Sequence, residues 1–146
     1  MATVETFDRG MIKNYLEEKD LNYFEDRDGD FIVRFNYDED WGCALDIWFI
    51  VNNSVYKVQI NSTKPIPRED WGKTMMLCNT WHQQRRWPRA YLYIENPETD
   101  ENGFIILNGN IDLEEGIHQE LLDDWTGTII SAGFGFWKWA HQEQGL

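Results

Sequence analysis

Hydrophobic positions along this 146-residue chain follow two periods in alternating blocks, one helical and one of strict alternation. Between Phe7 and Lys19, the residues Phe7, Met11, Tyr15 and Leu16 line one side at helical spacing, with Asp8 placed to cap the start and Glu17 and Glu18 toward solvent. A short extended piece, Asn22 to Glu25, leads into Asp26-Arg27-Asp28-Gly29-Asp30, where Asp-Gly between strand formers signals a hairpin turn. From Phe31 to Tyr37 the period drops to two: Phe31, Val33, Phe35 and Tyr37 point one way, Ile32, Arg34 and Asn36 the other. After a polar turn over Asp38 to Gly42, the run Ala44 to Val51 is apolar on both faces apart from Asp46, which predicts a central strand. Asn52-Asn53 turns the chain, and Val55 to Ile60 returns with Tyr56, Val58 and Ile60 inward. Three strands joined by short turns make an antiparallel meander.

The helical period resumes from Arg68 to Arg86 through Trp71, Met75, Cys78 and Trp81. Pro67 lies just ahead, where its missing N–H costs a helix nothing, and Pro88 lies just past the end. Arg89 to Asn96 alternates Ala90, Leu92 and Ile94 against Tyr91, Tyr93 and Glu95. An acidic turn over Asn96 to Gly103 precedes a strand from Phe104 to Leu113, with Ile105, Leu107, Ile111 and Leu113 on one face. The last helix starts near Ile117. Its first stripe is Ile117, Leu121, Trp125, Ile129, Ala132, Phe136 and Ala140; its second is Leu122, Ile130, Phe134 and Trp137. Apolarity on most sides after Ile129 predicts burial against more than one neighbour. Gly127, Gly133 and Gly135 each weaken a helix interior by roughly 1 kcal/mol relative to alanine. They predict either a close approach by another backbone or ring, or a break near Gly133. The element order is α-β-β-β-α-β-β-α. It predicts an α+β fold, one domain over residues 1–146, with an antiparallel sheet of about five or six strands and helices packed mainly on one face.

Composition narrows the class. An apolar content of 42% with 15% aromatics argues for a packed core and against disorder. No apolar run reaches the ~18 residues of a membrane span, and MATVETFDRG lacks the pattern of a secretory leader. Cys43 and Cys78 belong to no C-x-x-C pair and read as buried thiols in a reducing cytosol, with a disulfide between them left open. The net charge of −13 repels nucleic acid and anionic membranes. It is unevenly placed: residues 64–89 carry +4, through Lys64, Arg68, Lys73, Arg85, Arg86 and Arg89, and residues 90–124 carry −10. Most of these acids read as solubilising surface; alternatively, the basic band complements an acidic band of a second chain.

Candidate chemistry is sparse. Counted as an EF-hand from Asp26, the loop puts Phe31 where glycine is required and Tyr37 where glutamate is required, so an ordinary turn is expected. His118-Gln119-Glu120 matches H-x-E of zinc deaminases without the P-C-x-x-C partner. His82, His118 and His141 have no ligand at metal spacing. Glu120, Asp123 and Asp124 fit the first turns of a helix, where carboxylates complement the macrodipole. No phosphate loop or nucleophile–base pair is visible, so no catalytic residue, no metal and no cofactor is expected. The eight tryptophans exceed what a core of this size uses. Tyr91 and Tyr93, opposite Ala90, Leu92 and Ile94, combine with Trp48 of the central strand as an expected aromatic patch on the second side of the sheet, the kind that marks a partner site.

The element order and the stretch Cys78-Asn79-Thr80-Trp81-His82-Gln83-Gln84-Arg85-Arg86-Trp87-Pro88-Arg89-Ala90-Tyr91 together resemble the YbjN-like bacterial proteins, which are grouped with the type III secretion chaperone-like fold. The matching positions are Cys78, Asn79, Trp81, Arg85, Arg86, Trp87, Ala90 and Tyr91; His82 stands where the family often has Asn, and Arg89 where it often has Lys. The resemblance implies a cytoplasmic homodimer without a cofactor, and a chaperone-like adaptor or regulator with no catalytic set to transfer. It also implies a dimer formed through the middle helix and the following strand, which points to Trp81, Arg85, Trp87 and Tyr91. Together with Tyr93 and Trp48 these are the expected protein-binding residues, with the chain itself and an unidentified client protein as partners. Two other readings remain: a regulator binding a small molecule in the sheet–helix crevice, and a carbohydrate-binding module suggested by tryptophans near carboxylates. Whether Phe134 to Trp139 lies in the chain's own core, a dimer seam or a client site is left open.

Overall fold

The computed structural model describes residues 3–146. Helix α1 spans Arg9–Glu18 and is capped by Asp8, whose carboxylate accepts from the Met11 N–H at 3.3 Å. The strands are β1 (Phe24–Glu25), β2 (Phe31–Asp38), β3 (Cys43–Asn52), β4 (Val55–Ser62), β5 (Ile66–Pro67), β6 (Arg89–Tyr93) and β7 (Asn102–Asp112). Helix α2 spans Trp71–Gln84 after a 3-10 turn at Arg68–Asp70, and α3 spans Gln119–Gln142. The sheet has seven strands, all pairs antiparallel, in the order β1-β2-β3-β4-β7 with β5 and β6 also on β7. The α+β order is as expected. The extra strands are the two-residue β1 and β5; β5 was hidden because Pro65 and Pro67 read as terminators, yet Ile66 and Pro67 pair with Gly103 and Asn102.

The core lies between the helices and one face of the sheet. Leu45, Ile47 and Phe49 of β3, Tyr56, Val58 and Ile60 of β4, Ala90 of β6 and Ile105 and Leu107 of β7 are all buried there. Against them α3 turns Leu122, Thr126, Ile129, Gly133, Phe136, Trp137 and Ala140, a single stripe lying between the two expected ones, which leaves Leu121 exposed. The helix does not break. A Cβ on Gly133 would overlap Ile60 Cδ1, and one on Gly109 would lie 2.8 Å from Ile129 Cδ1, so these two glycines let α3 lie low on β4 and β7. The buried Tyr56 and Thr126 hydroxyls share a 2.8 Å hydrogen bond that fixes α3 over β4, and burial pushes the Tyr56 phenol far above its ordinary pKa. Phe136 and Trp137 are fully buried, and Phe134 stacks on Trp41 and meets Phe35 edge-on, so the aromatic residues of Phe134 to Trp139 pack into the chain's own core while Gly135 and Lys138 between them face outward.

Two stripes differ from the expectation. In β2 the alternation holds to Phe35; a register shift before Asp38 then leaves Tyr37 in solvent, and Ile32 is buried from the opposite face beside its partner Trp48. In α2 the buried residues are Thr74, Leu77, Cys78 and Trp81, while Met75 and Met76 are exposed. Trp71, Cys78 and Trp81 keep the expected side, with Thr74 and Leu77 taking the place of Met75, and the Trp71 indole N–H donates to the Ile66 carbonyl at 2.9 Å, which ties the start of the helix to β5. The helix also stops at Gln84, because Arg85 is already extended at φ −132° and ψ 149°.

Candidate functional site

The face of the sheet away from the core carries no helix. Alternation places Trp48 and Ile50 of β3, Lys57, Gln59 and Asn61 of β4, Ile106, Asn108 and Asn110 of β7 and Arg89, Tyr91 and Tyr93 of β6 on it. Register aligns them in rows: Ile32, Trp48, Gln59, Asn108 and Arg89 in one, Arg34, Asp46, Asn61, Ile106 and Tyr91 in the next. The amides are tied both along and across the strands. Gln59 donates to Asn61 at 3.1 Å, and the Arg89 Nε–H donates to the Asn108 oxygen at 3.2 Å. The Arg89 guanidinium also lies 5.0 Å over the Tyr91 ring.

Trp48 and Tyr91 share this face but not one patch. They stand three strands apart, about 14 Å at ordinary strand spacing, with Gln59, Asn61, Ile106 and Asn108 between them. The aromatic surface therefore divides into Trp48 with Ile32 and Ile50, and Tyr91 and Tyr93 with Phe104, the cross-strand partner of Tyr93. Tyr93 is 47% exposed.

Strand β6 pairs on one side only. The Ala90 N–H points off the sheet and donates to His82 Nε2 at 2.9 Å, which by alternation turns the Leu92 backbone outward as well. Beside this edge Arg85 and Arg86 are exposed and Trp87 is 43% exposed. Trp81 is elsewhere: only 4% exposed, it donates its indole N–H to the Pro88 carbonyl at 3.2 Å and packs on Phe136 and Trp139, at centroid distances of 5.2 and 5.5 Å. It anchors the turn into β6 from inside, with little of its ring at the surface. Arg85 covers it, 5.6 Å over the ring. Helical spacing could not separate Trp81 from Trp87, because Trp87 falls beyond the last turn of α2.

Sequence reading missed a cleft of about 300 Å³ between the end of α2 and α3, lined by Trp81, Arg85, Gly135, Lys138, Trp139 and Gln142. Its one sequence signal was Gly135, where a Cβ would meet nothing within 4 Å.

The remaining candidates have structural roles. The Asp26 carboxylate accepts from the Asp28 and Asp30 N–H groups, both at 2.9 Å, and closes the turn. His118 caps α3, its Nδ1 accepting from the Leu121 N–H at 3.1 Å. Among the described residues no group of three or more His, Cys, Asp or Glu is placed to hold a metal, and no helix is long and apolar enough to cross a membrane. Cys43 and Cys78 are free and buried, and burial pushes each thiol up to about 11. Both should stay unreactive toward a thiol reagent at pH 8 until denaturant is added; fast labelling of the native chain would contradict that burial. Because the unfolded thiols ionise first, near the ordinary thiol value of 9.0, the same shift predicts stability falling as pH rises above about 9.

The YbjN family model, described as "Putative bacterial sensory transduction regulator", matches residues 8–141. The chain is also similar to the crystal structure of YbjN, a putative transcription regulator from E. coli, with a TM-score of 0.76 at 7% identity over 97% of this chain and 96% of that one. At that identity the likeness is one of fold. No curated protein matches the chain.

Proposed function

The chain belongs to the YbjN family, and from that premise we propose that it is a non-enzymatic regulator that binds another protein, working as a cytoplasmic homodimer in the manner of a chaperone-like adaptor. One observation carries the reading: the helix-free sheet face runs to the edge of β6, which His82 occupies at Ala90 and which is open at Leu92, and Trp87, Tyr91 and Tyr93 stand at the surface there. An extended segment of a partner can add to that edge through the Leu92 backbone and lay alternate side chains on the tyrosines. Half-exposed aromatics of this kind dominate binding energy, commonly at about 2 kcal/mol or more each when truncated. The open face also carries Arg34, Lys57 and Arg89 against Asp46 and Asp112, a slight positive excess in a chain of net charge −13, which suits an acidic segment.

A cross-linked pull-down from native cytosol tests this. Wild type should retain a small set of proteins that a Trp87→Ala/Tyr91→Ala double variant loses, while far-UV circular dichroism stays unchanged. Identical capture by both chains would overturn the surface assignment.

The cleft beside Trp81 and Trp139 favours a second reading, a small-molecule sensor, which accords with the family's description as a sensory regulator. A metabolite that raises the melting temperature and quenches tryptophan fluorescence in wild type, with both effects lost in Gly135→Leu, would move the weight to it.

A further inference from the structure

Helix α3 forms the middle of the helical layer, and one of its faces is covered by nothing else in the chain. Two depressions of about 710 and 300 Å³ meet at Ala132 and follow that face from Glu120 to Glu143. Glu18 and Lys19 at the end of α1 wall the first, and Trp81 and Arg85 at the end of α2 wall the second.

The face is electrically polarised. Its N-terminal half carries Glu120, Asp123 and Asp124, beside the mutually offsetting Glu18 and Lys19; its C-terminal half carries Lys138 and Arg85 against Glu143 at the far end, a net positive charge of one. Neither Asp124 nor Lys138 has an ion-pair partner among the described residues. The positions are arranged evenly about Ser131: Asp124 and Lys138 lie seven residues to either side, Gly127 and Gly135 four, Glu120 and Gln142 eleven. At 3.6 residues per turn all of them fall on one stripe centred on Ser131.

A stripe that reads acidic to basic is complementary to itself when reversed. A second α3 laid antiparallel on a two-fold axis at Ser131 sets Asp124 against the partner's Lys138 twice over, which is what an isologous interface requires. Unlike Gly133, the glycines on this stripe have no explanation within the chain: a Cβ at Gly135 meets nothing within 4 Å, and one at Gly127 meets only the Tyr15 hydroxyl at 3.8 Å. Both weaken the helix relative to alanine, and both fall where the partner backbone would come close. We infer that this face of α3 is the seam of an antiparallel homodimer whose charged ends pair Asp124 with the partner's Lys138. The inference rests on the homodimer reading above and places the seam on α3 in place of the α2–β6 surface that the family resemblance implies. It leaves the open sheet face and the β6 edge, on the other side of the core, free for a client.

The full chain serves for the test. Light scattering should give twice the 17.4 kDa chain mass. Lys138→Glu should weaken the dimer roughly tenfold by setting like charges together, and adding Asp124→Lys to Lys138→Glu should restore it, a rescue that a merely destabilised monomer would not show. Ser131→Cys, on the axis, should form an oxidative cross-link between chains, with the buried Cys43 and Cys78 silent; Tyr93→Cys on the β6 edge should not. A dimer that cross-links through Tyr93→Cys and not through Ser131→Cys would overturn the α3 seam and keep the homodimer. A wild type that stays monomeric at high concentration would overturn both.

Discussion

Replacing Phe136 with alanine is expected to lower stability by about 3–5 kcal/mol, the range for a large buried aromatic. Phe136 is fully buried at the centre of a ring cluster that joins α3 to α2. It meets Trp81 of α2 edge-on at 5.2 Å, Trp137 edge-on at 5.7 Å and Trp139 at 5.9 Å. Aromatic pairs of this geometry contribute about 0.5–1.5 kcal/mol each beyond the area they bury. The cavity left behind is walled by tryptophans that cannot collapse into it without moving Trp81, and Trp81 holds the Pro88 carbonyl at the entry to β6. Against a total stability of about 5–15 kcal/mol for an ordinary domain, the loss is large. Urea unfolding followed by tryptophan fluorescence should show the midpoint dropping at an unchanged slope. A shift below about 1 kcal/mol, within reach of a surface change, would show that the cluster does not join α2 to α3 as described. Trp87→Ala, near in sequence to Trp81 but at the surface, is the contrasting control.

The second large effect separates two glycines in one helix. Gly133→Leu is expected to cost about 3 kcal/mol or more, at the upper end of overpacking penalties, because the new side chain must occupy the space of Ile60 where α3 rests on β4. Lifting α3 off the sheet would also strain the Tyr56–Thr126 hydrogen bond two turns earlier. Gly135→Leu points into open space and replaces a weak helix former, so it should raise the unfolding free energy of the monomer by about 0.5–1 kcal/mol. Equal destabilisation by both would mean that the helix tolerates no side chain at either place, and the distinction between packing and surface glycines would fail.

These two experiments mark where sequence reading stopped. Period alone located α1, the β2–β4 meander and α3, since each is long enough for its apolar residues to define a side. In α2 the expected Trp71, Cys78 and Trp81 do face the core, but Met75 is exposed and Thr74 and Leu77 are buried in its place, because the polar Thr74 carries no apolar signal for a period to register. The aromatic patch was judged correctly as to face and wrongly as to continuity. Alternation says which side of a strand a residue takes; only strand order says that β4 and β7 intervene between Trp48 and Tyr91.

The order of elements, the α+β class, the Asp8 cap, the Asp26 turn and the inward residues of β3 and β4 were determined by the sequence itself, because each depends on neighbours within a few positions. The tertiary structure alone decided that Trp81 is core while Trp87 is surface, that Gly133 is obligatory while Gly135 is not, and that the Asp124–Lys138 face of α3 is left uncovered. Those distinctions depend on what lies across from a residue in space, and no local period carries that information.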